Sequence, residues 1–375
     1  MLVTVNCSLG EVIDKITILD IKCEEIKDAQ KNADCIKERD MLVQSISHVY
    51  NDTLAYYRSI CRHINKQIWD DQEVVRMITD DQEYGKLARK VVADNDSRFR
   101  VKRIINASFE SSLKEQKSYL HKRCAVLVHH GLGDLINASA GVRCLSTKYD
   151  QVDVVSPKKH ANNTKALYAD NPFINVIEVE NYDHARDLAN SLESNGVTVL
   201  RTGCFNPNNN EDVPYSFYTG MKLEQGYDEI TKSKLWFFCR DTCDSALLDH
   251  IKKYRILLLH KTTSNVTCHE LKTFVQDYIT NPEWIVIDTD ENAYSSCQEP
   301  HFSLAQNFVM QPITYYINLI KHTQKFYLVD SYLFCLCLQI ATPLADEKCV
   351  FPRSQRDLLP IHIQLFKTHG WKSLI

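Results

Sequence analysis

The residues of this chain whose types and spacing could do chemistry gather at turns that follow short apolar runs. The first turn is His129-His130-Gly131-Leu132-Gly133-Asp134, placed after Ala125–Val128 and before a stretch of helical period, Leu135–Leu145. Glycines there let a backbone come close to a ligand, and the N–H groups that open a helix attract an anion. Gly131, Gly133 and His129 are therefore candidates for a loop that meets an acceptor or a phosphate. A carboxylate at the mouth of such a helix can take a proton from a hydroxyl. Asp134 is the first candidate base or acceptor-orienting group, and one of the two histidines could serve as base, with His130 as the catalytic candidate. The helix dipole alone would also favour Asp134, and both histidines fit a buried structural role equally well. Arg143, farther along the same stretch, reads as a solvated or ion-paired arginine. A dinucleotide fingerprint would need a third glycine where Ile136 stands.

The second turn, Lys261-Thr262-Thr263-Ser264-Asn265, follows the apolar run that ends at His260. A cation beside hydroxyls at a strand's C-terminal end suits a diphosphate, although an ordinary helix-capping cluster has the same composition. The third is Asp330-Ser331, after Phe326–Val329, where a hydroxyl and a backbone N–H would sit near phosphates or simply cap a helix. Lys261, Thr262, Thr263, Ser264, Asp330 and Ser331 make up the candidate donor-binding set. No cluster has metal-ligand spacing except Asp288-Thr289-Asp290. Its place inside the second α/β stretch points to ribose or base contacts rather than to a divalent cation.

Composition narrows the field. The chain has 375 residues, 44% hydrophobic and 25% charged, with a formal net charge of −4, so bulk nucleic-acid or anionic-membrane binding is not expected. The apolar run Tyr332–Ile340 is too short to cross a bilayer. Fourteen cysteines occur without a Cys-x-x-Cys pair, and the opening residues lack a basic-then-apolar leader, so free thiols and a cytoplasmic location are expected. Ten glycines against many Asn, Lys and Ile match the coding bias of AT-rich genomes, viral ones among them.

The elements that must position these turns follow from periodicity. Residues 1–122 show helical spacing, with Ser8 and Glu11 as a capping box before Leu9–Ile26 and further helices over 34–64, 65–78, 83–93 and 97–121. This reads as an all-helical domain of antiparallel hairpins, separable from the rest and suited to interaction or homodimerisation. From Cys124 the pattern alternates strand and helix, which implies a parallel sheet with right-handed crossovers. The divisions expected are a first Rossmann-like half over 123–213 and a second over 214–375 that ends in a C-terminal helix.

Some of these stretches resemble known families. SLGEVIDKITILDIKCEEI, INKQIWDDQEVVR, LARKVVADNDSRFRVKRIIN and LKEQKSY, taken in succession, resemble a bacterial domain family of unknown function found near glycan-assembly enzymes. The family's acidic pair is only approximately kept, as Asp70-Asp71-Gln72. HHGLGDLINASAGVR resembles the opening motif of bacterial GT-B-like glycosyltransferases related to the heptosyltransferases. Ser216-Phe217-Tyr218 with Arg240-Asp241 is similar to their linker, and FYLVDSYLFCL to their late Asp-Ser motif beside the donor nucleotide. Tyr332 and Cys335 stand where that late motif carries Gly and His.

The resemblance implies an α/β protein of two Rossmann-like halves, GT-B-like, behind a helical domain. It further implies transfer of a sugar from a nucleotide sugar to a glycan or lipid-linked hydroxyl, with no cofactor and no required metal. The alternative is a catalytically lapsed module of the same fold that binds glycans or helps assemble them.

Overall fold

The computed structural model describes residues 5–117, 121–206, 214–263, 267–299, 301–352 and 360–374. Ser8 accepts the Glu11 N–H at 3.3 Å and opens α1 (Leu9–Glu25). The Glu11 carboxylate does not return to the cap but reaches Lys102 Nζ at 2.7 Å, so only half of the expected capping box forms. Asp28, Asn51 and Asp80 cap α2 (Ala29–Ser45), α3 (Asp52–Val75) and α4 (Asp81–Ser108) in the same way. The last two are long single helices, where periodicity suggested breaks near 64 and 95. Asn65, which looks like a breaker, instead points inward from α3 and donates to Asp14 Oδ1 at 2.8 Å and Thr17 Oγ1 at 2.9 Å. A polar residue inside a helix is tolerated when the neighbouring helix supplies its partners.

The first half alternates β1 (Arg123–Leu127), α5 (Leu132–Leu145), β2 (Gln151–Pro157), α6 (Ala161–Leu167), β3 (Ile174–Val179), α7 (Tyr182–Ser194) and β4 (Thr198–Arg201). Its sheet is wholly parallel, in the order β3-β2-β1-β4. After the short helices α8 (Tyr215–Gly220), α9 (Tyr227–Ser233) and α10 (Ser245–Ile251) comes the second half. It comprises β5 (Arg255–His260), α11 (Leu271–Ile279), β6 (Trp284–Asp288), α12 (Phe302–Gln306), α13 (Ile317–His322) and β7 (Lys325–Val329). It ends with α14 (Tyr332–Gln339), β8 (Glu347–Phe351), α15 (Pro360–Thr368) and β9 (Lys372–Ser373). This sheet is also parallel, in the order β6-β5-β7-β8-β9. Phe308–Met310, a possible strand by sequence, is a turn with Phe308 fully buried.

The architecture is thus two Rossmann-like halves behind a helical region, the GT-B-like class expected from the sequence. In such sheets a ligand sits beyond the strands' C-terminal ends where the order reverses. Here the reversals fall between β1 and β4 and between β5 and β7. Among the described residues no helix is long and apolar enough to cross a membrane, and all fourteen cysteines are free thiols.

The helical region does not sit apart. Tyr57 of α3 donates to Asp170 Oδ2 at 2.6 Å, and the same carboxylate receives both Arg143 NH1 (3.0 Å) and NH2 (2.6 Å) from α5. Arg143 also reaches Leu167 O at 2.6 Å and lies near the stacked rings of Tyr56 and Phe238. Its side chain and that of Asp170 are each 1% exposed. Arg100 of α4, likewise buried, pairs with Asp150 at 3.0 Å, and Arg103 reaches the Asp150 carbonyl at 2.5 Å. One hydrophobic cluster runs through α1, α3, α4 and both halves. An independently separable helical unit would need a thinner junction than this one.

Replacing Arg143 by Met should cost about 3–5 kcal/mol, because Asp170 would be left charged and buried without a partner. Removing both charges with Asp170→Leu should recover part of the loss. Urea melts followed by far-UV and tyrosine signals check this, and the two signals should fall in one shared transition.

Candidate functional site

The two halves enclose a cavity of about 750 Å³ lined from the ends of β1, β2, β5, β6 and β7. From the first half, His129 and Asp134 both face it, with His129 Nδ1 4.0 Å from Asp134 Oδ2. The other ring nitrogen, Nε2, accepts the Cys204 N–H at 2.5 Å, which fixes the ring plane. Gly203 makes this approach possible. Its φ is +51°, and a Cβ there would lie 2.2 Å from His129 Nε2. Asp134 folds back over the start of α5 so closely that a Cβ on Gly131 would meet Oδ2 at 2.5 Å. Gly133 serves a different contact: a Cβ there would come within 3.1 Å of Cys335 Sγ on α14. Asn137, one turn on, donates to the same sulfur at 3.2 Å. The N-termini of α5 and α14, one from each half, therefore converge on the cavity.

His130 is placed differently from the sequence expectation. Its ring stacks on Tyr182 with centroids 4.0 Å apart and planes 8° from parallel, its backbone N–H donates to the Tyr182 hydroxyl at 3.2 Å, and it does not line the cavity. Burial, and secondarily the charges of Lys159, His129 and His160, push its pKa down. A role for His130 as base does not fit this placement, since of the two histidines it is His129 that lines the cavity beside Asp134.

Lys261 needs the same correction. Its ammonium is 3% exposed and is paired with Asp288 and, at 2.9 Å, with Glu291, so it does not face the cavity. The two hydrogen bonds from Lys272 and Lys261 hold the Glu291 carboxyl down to about 2, while burial pushes Asp288 up. Thr262 and Thr263 do line the cavity, and Ser264 lies outside the described residues. Asp290 accepts the backbone N–H groups of Lys261 and Thr262 at 2.8 and 3.0 Å. Both carboxylates of the Asp-x-Asp triplet thus have partners within the protein. Asp288 belongs to Lys261, while Asp290 caps the turn and meets His260 Nδ1 at 3.2 Å. Among the described residues no group of three His, Cys, Asp or Glu is placed to hold a metal.

Asp330 and Ser331 both reach the cavity. Ser331 occupies the cap position of α14, yet its hydroxyl makes no capping bond, and its Oγ is buried without a partner among the described residues. Sequence reasoning missed Lys159, His160 and Asn163 after β2, and His260 at the end of β5, all of which line the cavity. His260 carried a usable signal, since like His129 it closes an apolar strand just before a polar turn.

Residues 3–127 match a family model described as a family of unknown function, DUF6165, which spans the helical region and β1. No curated protein matches the chain. Two similar solved structures are glycosyltransferases. The first, a family 9 glycosyl transferase from Veillonella parvula DSM 2008, is 11% identical over 62% of this chain and 80% of that one, with a TM-score of 0.34. The second is the iron-containing dodecameric glycosyltransferase TibC from enterotoxigenic E. coli H10407. It is 12% identical over 64% of this chain and 61% of that one, with a TM-score of 0.36.

Lys261→Ala should behave as a core mutation. Stripping the ammonium from buried Asp288 should lower stability by about 3–5 kcal/mol. A ligand-facing lysine would instead leave the apo melting curve nearly unchanged, so differential scanning fluorimetry of the unliganded variant separates the two.

Proposed function

We propose that this chain is a glycosyltransferase that moves a sugar from a nucleotide-sugar donor to a hydroxyl of a glycan or lipid-linked acceptor. The observation that carries the reading is the cavity itself, formed where the C-terminal ends of two parallel sheets face each other and two helix N-termini meet. In this reading the nucleotide lies against the ends of β5 and β7, and the acceptor enters on the side of β1.

Asp134 takes the proton of the acceptor hydroxyl, with His129 4.0 Å away to share the charge. The acceptor oxygen bonds to the anomeric carbon as the carbon–oxygen bond to the diphosphate breaks, and that electron pair leaves on the diphosphate. N–H groups at the start of α14, the hydroxyls of Thr262, Thr263 and Ser331, and Lys159 from the first half are the groups available to the leaving anion. The reading calls for no metal.

A second reading, a lapsed module that binds glycans or aids their assembly, is favoured by one observation. Lys159 is the lone Lys or Arg among the described residues lining the cavity, because Lys261 is committed to Asp288. That is a sparse positive field for a diphosphate.

Purified protein should release nucleotide from one of UDP-, GDP-, ADP- or CMP-sugars, with and without Mg²⁺. Asp134→Asn should keep donor binding and slow transfer by about 10²–10⁴-fold, the usual scale for losing a general base. A folded, donor-binding Asp134→Asn protein with undiminished turnover would remove Asp134 from catalysis. Absence of turnover in the unmodified chain on every donor would favour the lapsed module.

A further inference from the structure

The end of β5 holds a histidine for which the proposed reaction has no assigned use. His260 lines the cavity although the residue is only 1% exposed. Its Nδ1 is 3.2 Å from Asp290 Oδ1 and 2.7 Å from Thr289 Oγ1. The edge of the Tyr332 ring closes one side, with centroids 5.0 Å apart and planes at 68°. The remaining polar atom, Nε2, is buried and has no hydrogen-bond partner among the described residues. Such an atom costs free energy unless something else completes it.

The surroundings set which chemistry would complete it. The Asp290 carboxylate faces the ring nitrogen Nδ1 and takes the backbone N–H groups of Lys261 and Thr262. An ionised carboxylate only accepts hydrogen bonds, so the nitrogen facing it carries the proton. In the neutral ring that leaves Nε2 with a bare lone pair, fixed in direction by Asp290 and Thr289. A lone pair at the cavity wall calls for an O–H or N–H donor. Ser331, with a second buried and unpartnered polar atom, stands after β7, the strand paired with β5 through His260 and Leu328. The two orphaned atoms thus flank the β5/β7 reversal, where a ligand is expected.

We propose that His260 is a ligand-binding residue whose Nε2 accepts a hydrogen bond from a hydroxyl of the donor, with Asp290 as the residue that positions it. This rests on the nucleotide-sugar reading above. The hydroxyl belongs either to the ribose or to the transferred sugar, and both present the same chemistry to Nε2.

Asn and Gln substitutions separate the two ring nitrogens. An asparagine amide sits near Nδ1 and can keep the Asp290 and Thr289 contacts while losing Nε2, whereas glutamine reaches toward Nε2. The probes are UDP, GDP, ADP and CMP, then the 2′,3′-dideoxy form and the glucose conjugate of the tightest binder, measured by calorimetry on the full chain. His260→Asn should melt near the unmodified protein and bind about tenfold more weakly, with His260→Gln between the two. If ribose is the partner, the parent nucleotide already shows the loss and the dideoxy form binds both proteins alike. If the sugar is the partner, only the glucose conjugate shows it.

Asp290→Asn should weaken binding similarly, yet add little on top of His260→Asn, because it acts through the ring. Full additivity would deny it the positioning role. Should His260→Asn fail to fold, ¹⁵N-histidine NMR of the unmodified protein reads the same contact, with the Nε2 resonance moving on saturation by the probe while Nδ1 stays. Unchanged affinity of a folded His260→Asn protein for every probe, or a stationary Nε2 resonance at saturation, overturns the assignment while leaving the transferase reading intact. An unmodified protein that binds none of the probes overturns both.

Discussion

The buried pairing of Arg143 with Asp170 is the interaction on which the rest of this arrangement depends. Arg143 closes α5, Asp170 follows α6, and Tyr57 reaches the same carboxylate from α3, so one ion pair fastens the helical region to the first sheet. Withdrawing two charges from water is expensive and is repaid only when geometry is close to ideal. Here Asp170 takes bonds from Tyr57 and a forked guanidinium, and Arg143 adds the Leu167 carbonyl. The group is therefore better understood as fixing orientation than as a net source of stability. With its C-terminal end held, α5 has little freedom to tilt, and its N-terminal end delivers Asp134 and Gly133 to the other half.

That delivery explains the two glycines of the opening turn. By sequence both suit close approach to a ligand, and the structure gives each a neighbour within the protein: Gly131 makes room for the carboxylate of Asp134, and Gly133 for Cys335 on α14. Cysteine at that place is small enough to let the helices cross closely and still accept the Asn137 amide hydrogen at 3.2 Å. The departure of Cys335 from the late Asp-Ser motif that this stretch resembles is thus part of the contact between halves.

Fold class was legible because it rests on periodicity, and buried parallel strands such as Leu257–His260 and Trp284–Asp288 announce themselves as apolar runs. The strand Glu347–Phe351 and the edge strand Lys372–Ser373 beside it were not legible, being short and partly or wholly polar. Site residues were legible as turns but not as side chains. A strand-end turn tells which residues are near a cavity, while alternation along the chain decides which of two neighbours enters it. His129 faces in and His130 is stacked away; Lys261 turns into the core and Thr262 lines the wall. Neither outcome follows from residue type, since each hinges on a partner distant in sequence: Tyr182 for His130, Asp288 for Lys261.

The withdrawal of Lys261 also changes the electrostatic character of the cavity. Three carboxylates, Asp134, Asp290 and Asp330, face it together with three histidines, His129, His160 and His260, and with Lys159. A wall of this kind holds an anion less by fixed positive charge than by directed hydrogen bonds, which act over short range and demand a well-placed ligand. Among the described residues, Nε2 of His260 and Oγ of Ser331 are buried polar atoms without hydrogen-bond partners, and on the proposed reading the donor's hydroxyls would complete them. A site built this way would discriminate by hydroxyl pattern more than by charge, since a buried acceptor rejects any analogue that lacks the matching donor. The specificity of this cavity should accordingly reside in the β5 and β7 strand ends rather than in the glycine turn that first draws the eye.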